Sequence, residues 1–233
     1  MMVRKYVGAP VLALAVAAGA VPATAHSFDE VEGDLHDRER YFQPIDRPAP
    51  DFALRDAAGQ RVDFADLLGE VVVLHFIYTS CPDVCPLHAE KIAEIQAMVN
   101  RTPMKEQVRF VTITTDPARD TQAVMQDYGP AHGLDPVNWV FLTTLPDQPE
   151  DHTRQLAKAF GHTFTPGRDG MQMHGVVTHV IDQDRMWRAN FHGLDFEPTN
   201  LLVYLNALVN RAQAPHPHAG QGLWERLRGL LGS

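Results

Sequence analysis

Cys81 and Cys85 are the only two cysteines of the 233-residue chain, and they sit in Cys81-Pro82-Asp83-Val84-Cys85. Ahead of them runs Val71-Val72-Val73-Leu74-His75-Phe76-Ile77-Tyr78, a nearly continuous apolar stretch that predicts a strand buried on both faces. Behind them Leu87, Ile92, Ile95 and Val99 recur at helical spacing as far as about Asn100. The pair is therefore expected where a buried strand gives way to a helix, the edge at which sites collect in open α/β sheets. Amide groups at a helix start favour thiolate over thiol, which makes sulfur a better nucleophile and a better ligand. Cys85 falls about one helical turn beyond Cys81, so both sulfurs can face one ion. A bridge between them would close almost no loop and add little stability, so redox or metal chemistry explains them better than stapling does. Two thiolates are soft donors suited to Cu(I), and an imidazole added from elsewhere in the fold also accommodates Cu(II).

The elements that position this pair read as one α/β domain. Asp51-Phe52-Ala53-Leu54 and Val62-Asp63-Phe64 flank a hairpin turn at Ala57–Gln60, and a helical turn from Ala65 to Leu68 ends at Gly69. A second buried strand is expected over Val108–Ile113, a third over Trp139–Leu142 and a helix over Thr153–Phe160. Val176–Ile181 and Trp187–Phe191 read as a hairpin around Asp182-Gln183-Asp184, and Leu201–Val209 as a final helix. Asp116-Pro117 is expected to open a helix to about Tyr128, with Asp116 as N-cap and Pro117 at the first helical position. Asp120 keeps a role open, and Asp83 stands close enough to tune the thiols. Strands alternating with helices, closed by a hairpin and a helix, indicate an α/β fold: a mixed central sheet flanked by helices, with an added hairpin.

The chain divides into four segments. Residues 1–25 read as a signal peptide, with Arg4 and Lys5 ahead of an apolar run and Ala23-Thr24-Ala25 as the cleavage site. This predicts export to the periplasm or another extracytoplasmic space, an N-terminal membrane anchor being the alternative. Residues 26–48 read as an extended arm, 49–211 as the folded domain, and 212–233 as a His/Pro/Gly tail ending in a short amphipathic piece. Removing Arg4 and Lys5 from the 20 basic residues leaves 18 against 29 acidic ones, a balance that argues against nucleic acid as a partner. His216 and His218 alternate with prolines in the tail and could recruit a metal ion loosely.

Three stretches together resemble the Sco (SenC) proteins over about residues 45–210. They are Tyr78-Thr79-Ser80-Cys81-Pro82-Asp83-Val84-Cys85-Pro86, Thr114-Thr115-Asp116-Pro117-Ala118-Arg119-Asp120-Thr121, and a later His before an apolar strand, here Met173-His174-Gly175-Val176-Val177. The resemblance implies a thioredoxin-like fold and a copper site made by Cys81, Cys85 and His174. It also implies a non-enzymatic role in assembling the dinuclear copper centre of cytochrome c oxidase subunit II. The sequence departs from the family pattern at Ser80, where a His often stands, and at Met173, which replaces the Asp before the ligand His. His75 and His179 read as packed histidines, and Met171 and Met173 as packing thioethers beside the site.

The residues admit two functions. One is a copper chaperone for cytochrome c oxidase subunit II or another copper protein, served by a thiol reductant and another copper chaperone. The other is an extracytoplasmic thiol–disulfide oxidoreductase working through the Cys81–Cys85 couple. Thioredoxin-type redox pairs have two intervening residues and need no distal His, so the spacing favours the metal. An oxidising compartment opposes reduced thiols, which is why a reductant is expected as a partner.

Overall fold

The computed structural model describes residues 27–167 and 170–213, without the side chains of residues 166–174, 212 and 213. The leader, His216, His218 and the amphipathic tail piece therefore lie outside the described residues. In chain order the elements are α1 (Phe28–Arg38), β1 (Phe42–Pro48), β2 (Ala53–Asp56), β3 (Arg61–Asp63), β4 (Val71–Ile77), α2 (Val84–Val99), β5 (Val108–Thr114), α3 (Gln122–Ala131), β6 (Trp139–Thr143), α4 (His152–Ala159), β7 (Thr163–Gly167), β8 (Gly170–His174), β9 (Val177–Ile181), β10 (Met186–His192) and α5 (Pro198–Gln213). Short 3-10 turns occupy Phe64–Leu67 and Pro103–Glu106.

Eight strands form one mixed sheet in the order β1-β10-β9-β4-β5-β6-β2-β3, and β7 and β8 pair as a separate ribbon. β4, β5 and β6 run parallel, while β9 lies antiparallel to β4 on its other side. Every residue of β4 is buried. The alternation of its side chains explains this, because Val71, Val73 and Ile77 join a core with Ala89, Ile92 and Val99 of α2 and Leu201, Leu205 and Leu208 of α5. Val72, Leu74 and Phe76 face the opposite way, into a second core with Leu156 and Ala157 of α4, Phe160 and Trp187. Full burial of each such Val, Leu or Phe contributes about 1.5–3 kcal/mol, so β4 is a firmly held strand and a rigid base for the turn that carries the cysteines. Among the described residues no helix is long and apolar enough to cross a membrane.

The segment expected as an extended arm belongs to the domain. Ser27 and Glu30 form a capping box at the start of α1, with Ser27 Oγ accepting from the Glu30 amide at 3.2 Å and Glu30 Oε2 accepting from the Ser27 amide at 2.9 Å. Leu35 packs into the core from this helix. β1 then pairs with β10, and its buried Phe42 meets the rings of Phe191 and Tyr204, each at 5.2 Å. The few apolar residues of this segment are spread thinly among charges, yet Leu35 and Phe42 find partners contributed from far along the chain. The described part of that segment, residues 27–48, thus forms a helix and a sheet strand rather than an extended arm.

A second difference concerns Asp116. The helix after β5 starts at Gln122, capped by Thr121, whose hydroxyl accepts from the Val124 amide at 3.5 Å. Asp116 instead pairs with Arg119 in the preceding turn. The Asp-Pro dipeptide suggests a helix start, but the carboxylate finds a closer partner in a guanidinium three residues on.

Candidate metal centre

β4 ends at Ile77, where the Thr115 amide donates to its carbonyl at 2.8 Å and so locks the strand end to the loop after β5. A turn comes next in which the Cys81 amide donates to the Tyr78 carbonyl at 3.1 Å, and α2 begins three residues later with Asp83 in the N-cap position. Both cysteines are free and buried, Cys81 at 6% exposure and Cys85 at 4%. The strand end and the helix start therefore meet at the two sulfurs, as the sequence predicts.

The two thiols are not equivalent. Burial acts to raise the Cys81 pKa, but the backbone amides of Asp83 and Cys85, the Cys85 thiol and the Tyr78 hydroxyl all point at its sulfur and outweigh burial, so the value falls below the ordinary thiol range. Cys85 moves strongly upward: burial is the main cause, opposed by a backbone amide hydrogen bond from Tyr78 and reinforced by the proximity of Cys81 and Asp120. The Tyr78 hydroxyl is pushed up to about 12, first by burial and then by its hydrogen bond to Cys81. The two thiols are thus biased in opposite directions, Cys81 towards thiolate and Cys85 towards thiol, with the Cys85 thiol and the Tyr78 hydroxyl directed at the Cys81 sulfur.

A cavity of about 40 Å³ opens beside the sulfurs, lined by Phe76, Tyr78, Cys81, Val84, Cys85, His88, Gly175 and Val176. It exceeds the roughly 10–15 Å³ needed for one water-sized occupant and is far too small for an organic substrate. Its two cysteine sulfurs are soft donors, so the residues present fit a single soft metal ion. Among the described residues no group of three or more His, Cys, Asp or Glu could hold a metal ion, so a third ligand would have to come from outside that set.

His174 ends β8, its backbone in register with Thr163 across the ribbon, and its side chain lies outside the described residues. The next residue, Gly175, lines the cysteine cavity with a φ of 91°. Glycine takes this left-handed conformation without penalty, and it lets the chain turn from the ribbon towards β9 at the cavity wall. The backbone of His174 thus stands one residue from the space that Cys81 and Cys85 border. Met171 and Met173 lie on the same strand, and their side chains are likewise outside the described residues.

The other histidines singled out in the sequence are packed. His179 is fully buried, with Nδ1 2.7 Å from Asn190 Oδ1 and Nε2 3.0 Å from His162 Nε2. His75 is also fully buried, with Nε2 3.2 Å from Thr112 Oγ1. Neither lines the cavity.

Three residues matter more than their sequence context suggests. Asp120 is buried and accepts hydrogen bonds from the hydroxyls of Thr79 and Thr114 and from the Thr79 amide at 3.2 Å. It anchors the turn that carries Cys81. His88 lines the cavity one turn beyond Cys85, with Nε2 2.9 Å from Thr178 Oγ1 and its ring against His75 at 4.8 Å. Its spacing of three from Cys85 is a readable signal, since such pairs share a helix face. Tyr128 donates to the Cys85 carbonyl at 3.3 Å and ties α3 to the first turn of α2; nothing local in the sequence announces that contact.

Known proteins share both the sequence pattern and the architecture. A family model described as SCO1/SenC matches residues 43–210. An SCO2-like protein of Rickettsia conorii is 29% identical over 157 residues, covering 66% of this chain and 74% of its own length. Among solved structures, a SCO1/SenC family lipoprotein from Bacillus anthracis superposes with a TM-score of 0.64 at 22% identity, covering 71% of this chain and 97% of its own. ScoI of Bradyrhizobium japonicum, solved with copper bound, superposes with a TM-score of 0.55 at 25% identity, covering 69% and 99% respectively. These neighbours share the mixed sheet with its flanking helices, which identifies the fold as thioredoxin-like.

Proposed function

The chain belongs to the SCO1/SenC family, and on that premise we propose that it is an exported copper chaperone that serves assembly of the dinuclear copper centre of cytochrome c oxidase subunit II. The observation that carries this reading is the pair of free thiols at the start of α2. Cys81 is held towards thiolate by backbone amides, Cys85 stands beside it, and the cavity they border is of ion size and lined in part by Gly175. His174, next to Gly175, supplies the third ligand in this reading, and the copper bound by the Bradyrhizobium relative supports the choice of metal. Copper is cargo here, accepted by two sulfurs and an imidazole and passed to a copper protein. The leader at residues 1–25 supports delivery outside the cytoplasm, where a thiol reductant keeps Cys81 and Cys85 reduced for loading.

The inequality of the two thiols favours a second activity on the same pair. The Cys81 thiolate can attack a sulfur of a target disulfide and release one target thiolate. Cys85, once deprotonated, then attacks Cys81 in the mixed disulfide and releases the second. The target gains two electrons, and this chain keeps a Cys81–Cys85 disulfide for an external reductant to reopen.

One titration separates the readings. The reduced protein is titrated with Cu(I) and with Cu(II), beside His174→Ala and Cys81→Ser. The copper reading expects one tight equivalent with a sulfur-to-Cu(II) charge-transfer band that His174→Ala weakens. An alanine variant that binds like the wild type removes His174 from the ligand set. A wild-type protein that binds no copper yet reduces protein disulfides leaves the oxidoreductase in its place.

A further inference from the structure

β9 pairs with β4 from Ile181 opposite Val72 as far as Thr178 opposite His75, whereas β4 itself runs on beside β5 to Ile77. Past that last pair the two chains separate. The cysteine cavity lies in the opening, with Phe76 on one side and Gly175 and Val176 on the other. The stretch that leads from Thr178 back to His174 is therefore without the support of β4.

Two hydrogen bonds meet where the ladder ends, made by adjacent residues of β9 whose side chains take opposite faces of the sheet. Towards α2, Thr178 Oγ1 lies 2.9 Å from Nε2 of the buried His88. His88 lines the cavity one turn beyond Cys85, and the ring of His75 packs against it at 4.8 Å. On the other face, His179 Nε2 lies 3.0 Å from Nε2 of the buried His162. His162 immediately precedes Thr163, whose backbone is in register with His174 across the ribbon. This second bond has a definite direction. Trp187 Nε1 can only donate, and it does so to Asn190 Oδ1 at 2.9 Å, while the Asn190 amide group donates to Gln43 Oε1 at 3.1 Å. Asn190 Oδ1 thus accepts from His179 Nδ1, 2.7 Å away. In the neutral imidazole that leaves the lone pair on His179 Nε2, which accepts from His162 Nε2. Apolar side chains would fill these places without the cost of burying imidazoles. What the bonds add is a fixed position.

We propose that His88 and His162 are positioning residues of the metal site, acting through Thr178 and His179. His88 ties β9 to the helix that carries Cys85, and His162 ties β9 to the foot of the ribbon that ends at His174. Together they set where the backbone at His174 stands relative to the thiols. This role rests on the copper reading, in which Cys81, Cys85 and His174 take one ion.

Copper affinity and hydrogen exchange of the metal-free protein test it together. His88→Leu and Thr178→Val remove the first bond from its two ends, and His162→Leu removes the second. Each is expected to weaken copper binding by about 10–100-fold, the range for residues that orient a metal ligand. Each also speeds amide exchange at the start of β9 without metal, while Cys81 keeps its alkylation pH profile. His88→Gln can place an amide nitrogen where Nε2 stood and restores most of the affinity. In a His174→Ala background none of the three costs further affinity, because all act through that residue. If His88→Leu fails to fold, Thr178→Val, which keeps the side-chain shape, decides the first bond. A loss that persists without His174, a His88→Gln variant no better than His88→Leu, or variants that bind copper like the wild type overturn the proposal and leave the copper reading standing. A wild-type protein that takes up no copper overturns both.

Discussion

Asp120 and Thr79 lie 41 residues apart in sequence, yet the carboxylate of one receives both the hydroxyl and the amide of the other. Thr79 is two residues before Cys81, so the loop after β5 sets the position of the thiol carried by the loop after β4. Burial raises the Asp120 pKa, and the hydrogen bonds from Thr114 and Thr79 pull against it.

Asp120→Ala leaves the Thr79 amide and two hydroxyls without their acceptor. The expected cost is about 1–3 kcal/mol in chemical denaturation, the range for an unsatisfied buried group. The charge of Asp120 also helps hold the Cys85 pKa up. In a Cys81→Ser background, Asp120→Ala should therefore move the pH profile of Cys85 alkylation towards lower pH. An unchanged profile would separate Asp120 from the electrostatics of the pair.

The thiols themselves should react unequally. Cys85→Ser keeps the Asp83 and position-85 amides aimed at Cys81, so its remaining thiol should be alkylated by iodoacetamide at neutral pH. Cys81→Ser leaves Cys85 buried with a raised pKa, and that variant should react far more slowly until the pH is strongly alkaline. Equal rates at neutral pH would contradict the assignment of the thiolate to Cys81.

Acid should destabilise the fold through its interior histidines. Burial first, and neighbouring histidines next, lower the His75 pKa to about 3 and hold His88 and His179 well below their ordinary value. The unfolded chain takes up these protons near pH 6.5 and the folded chain does not. Above about pH 6.5 the three contribute no pH dependence. As pH falls from there towards about 3, His75 costs stability at about 1.4 kcal/mol per pH unit, and His88 and His179 add to the loss in the same direction. Urea midpoints measured from mildly alkaline to mildly acidic pH should fall accordingly, and His179→Asn should shallow the slope.

Phe42 tests whether the N-terminal segment is structural. It is buried against Phe191 and Tyr204, and Phe42→Ala should cost about 3–5 kcal/mol in thermal or urea unfolding. A loss under about 1 kcal/mol would return β1 to the status of a loosely attached arm.

The cysteine pair and its supports were legible because their signals are local. The apolar run Val71–Tyr78 and the periodicity after Leu87 lie in continuous sequence, and they became β4 and α2 with boundaries shifted only slightly. Asp120 was not assignable, since its partners Thr79 and Thr114 come together only when β4 and β5 pair. The capping box of Ser27 and Glu30 was present in sequence, but Phe28, Val31 and Leu35 were too few among charges to outweigh an extended reading. The ribbon of β7 and β8 contains Pro166, Gly167 and Gly170, residues that announce a loop, and only cross-strand pairing makes it a strand pair. His174 therefore rests on family resemblance, with the position of Gly175 at the cavity as its structural companion.

The order of the large sheet leaves β1 and β3 at its two rims. β1 carries Pro44 and Pro48 and a shift of register between Pro44 and Arg47, while β3 is only three residues long. Proline withholds an amide, an irregular register denies a matching ladder, and a short strand offers little to extend. Neither rim is a good template for another chain, so the domain can carry a fully buried, largely apolar central strand through folding without recruiting copies of itself into aggregates.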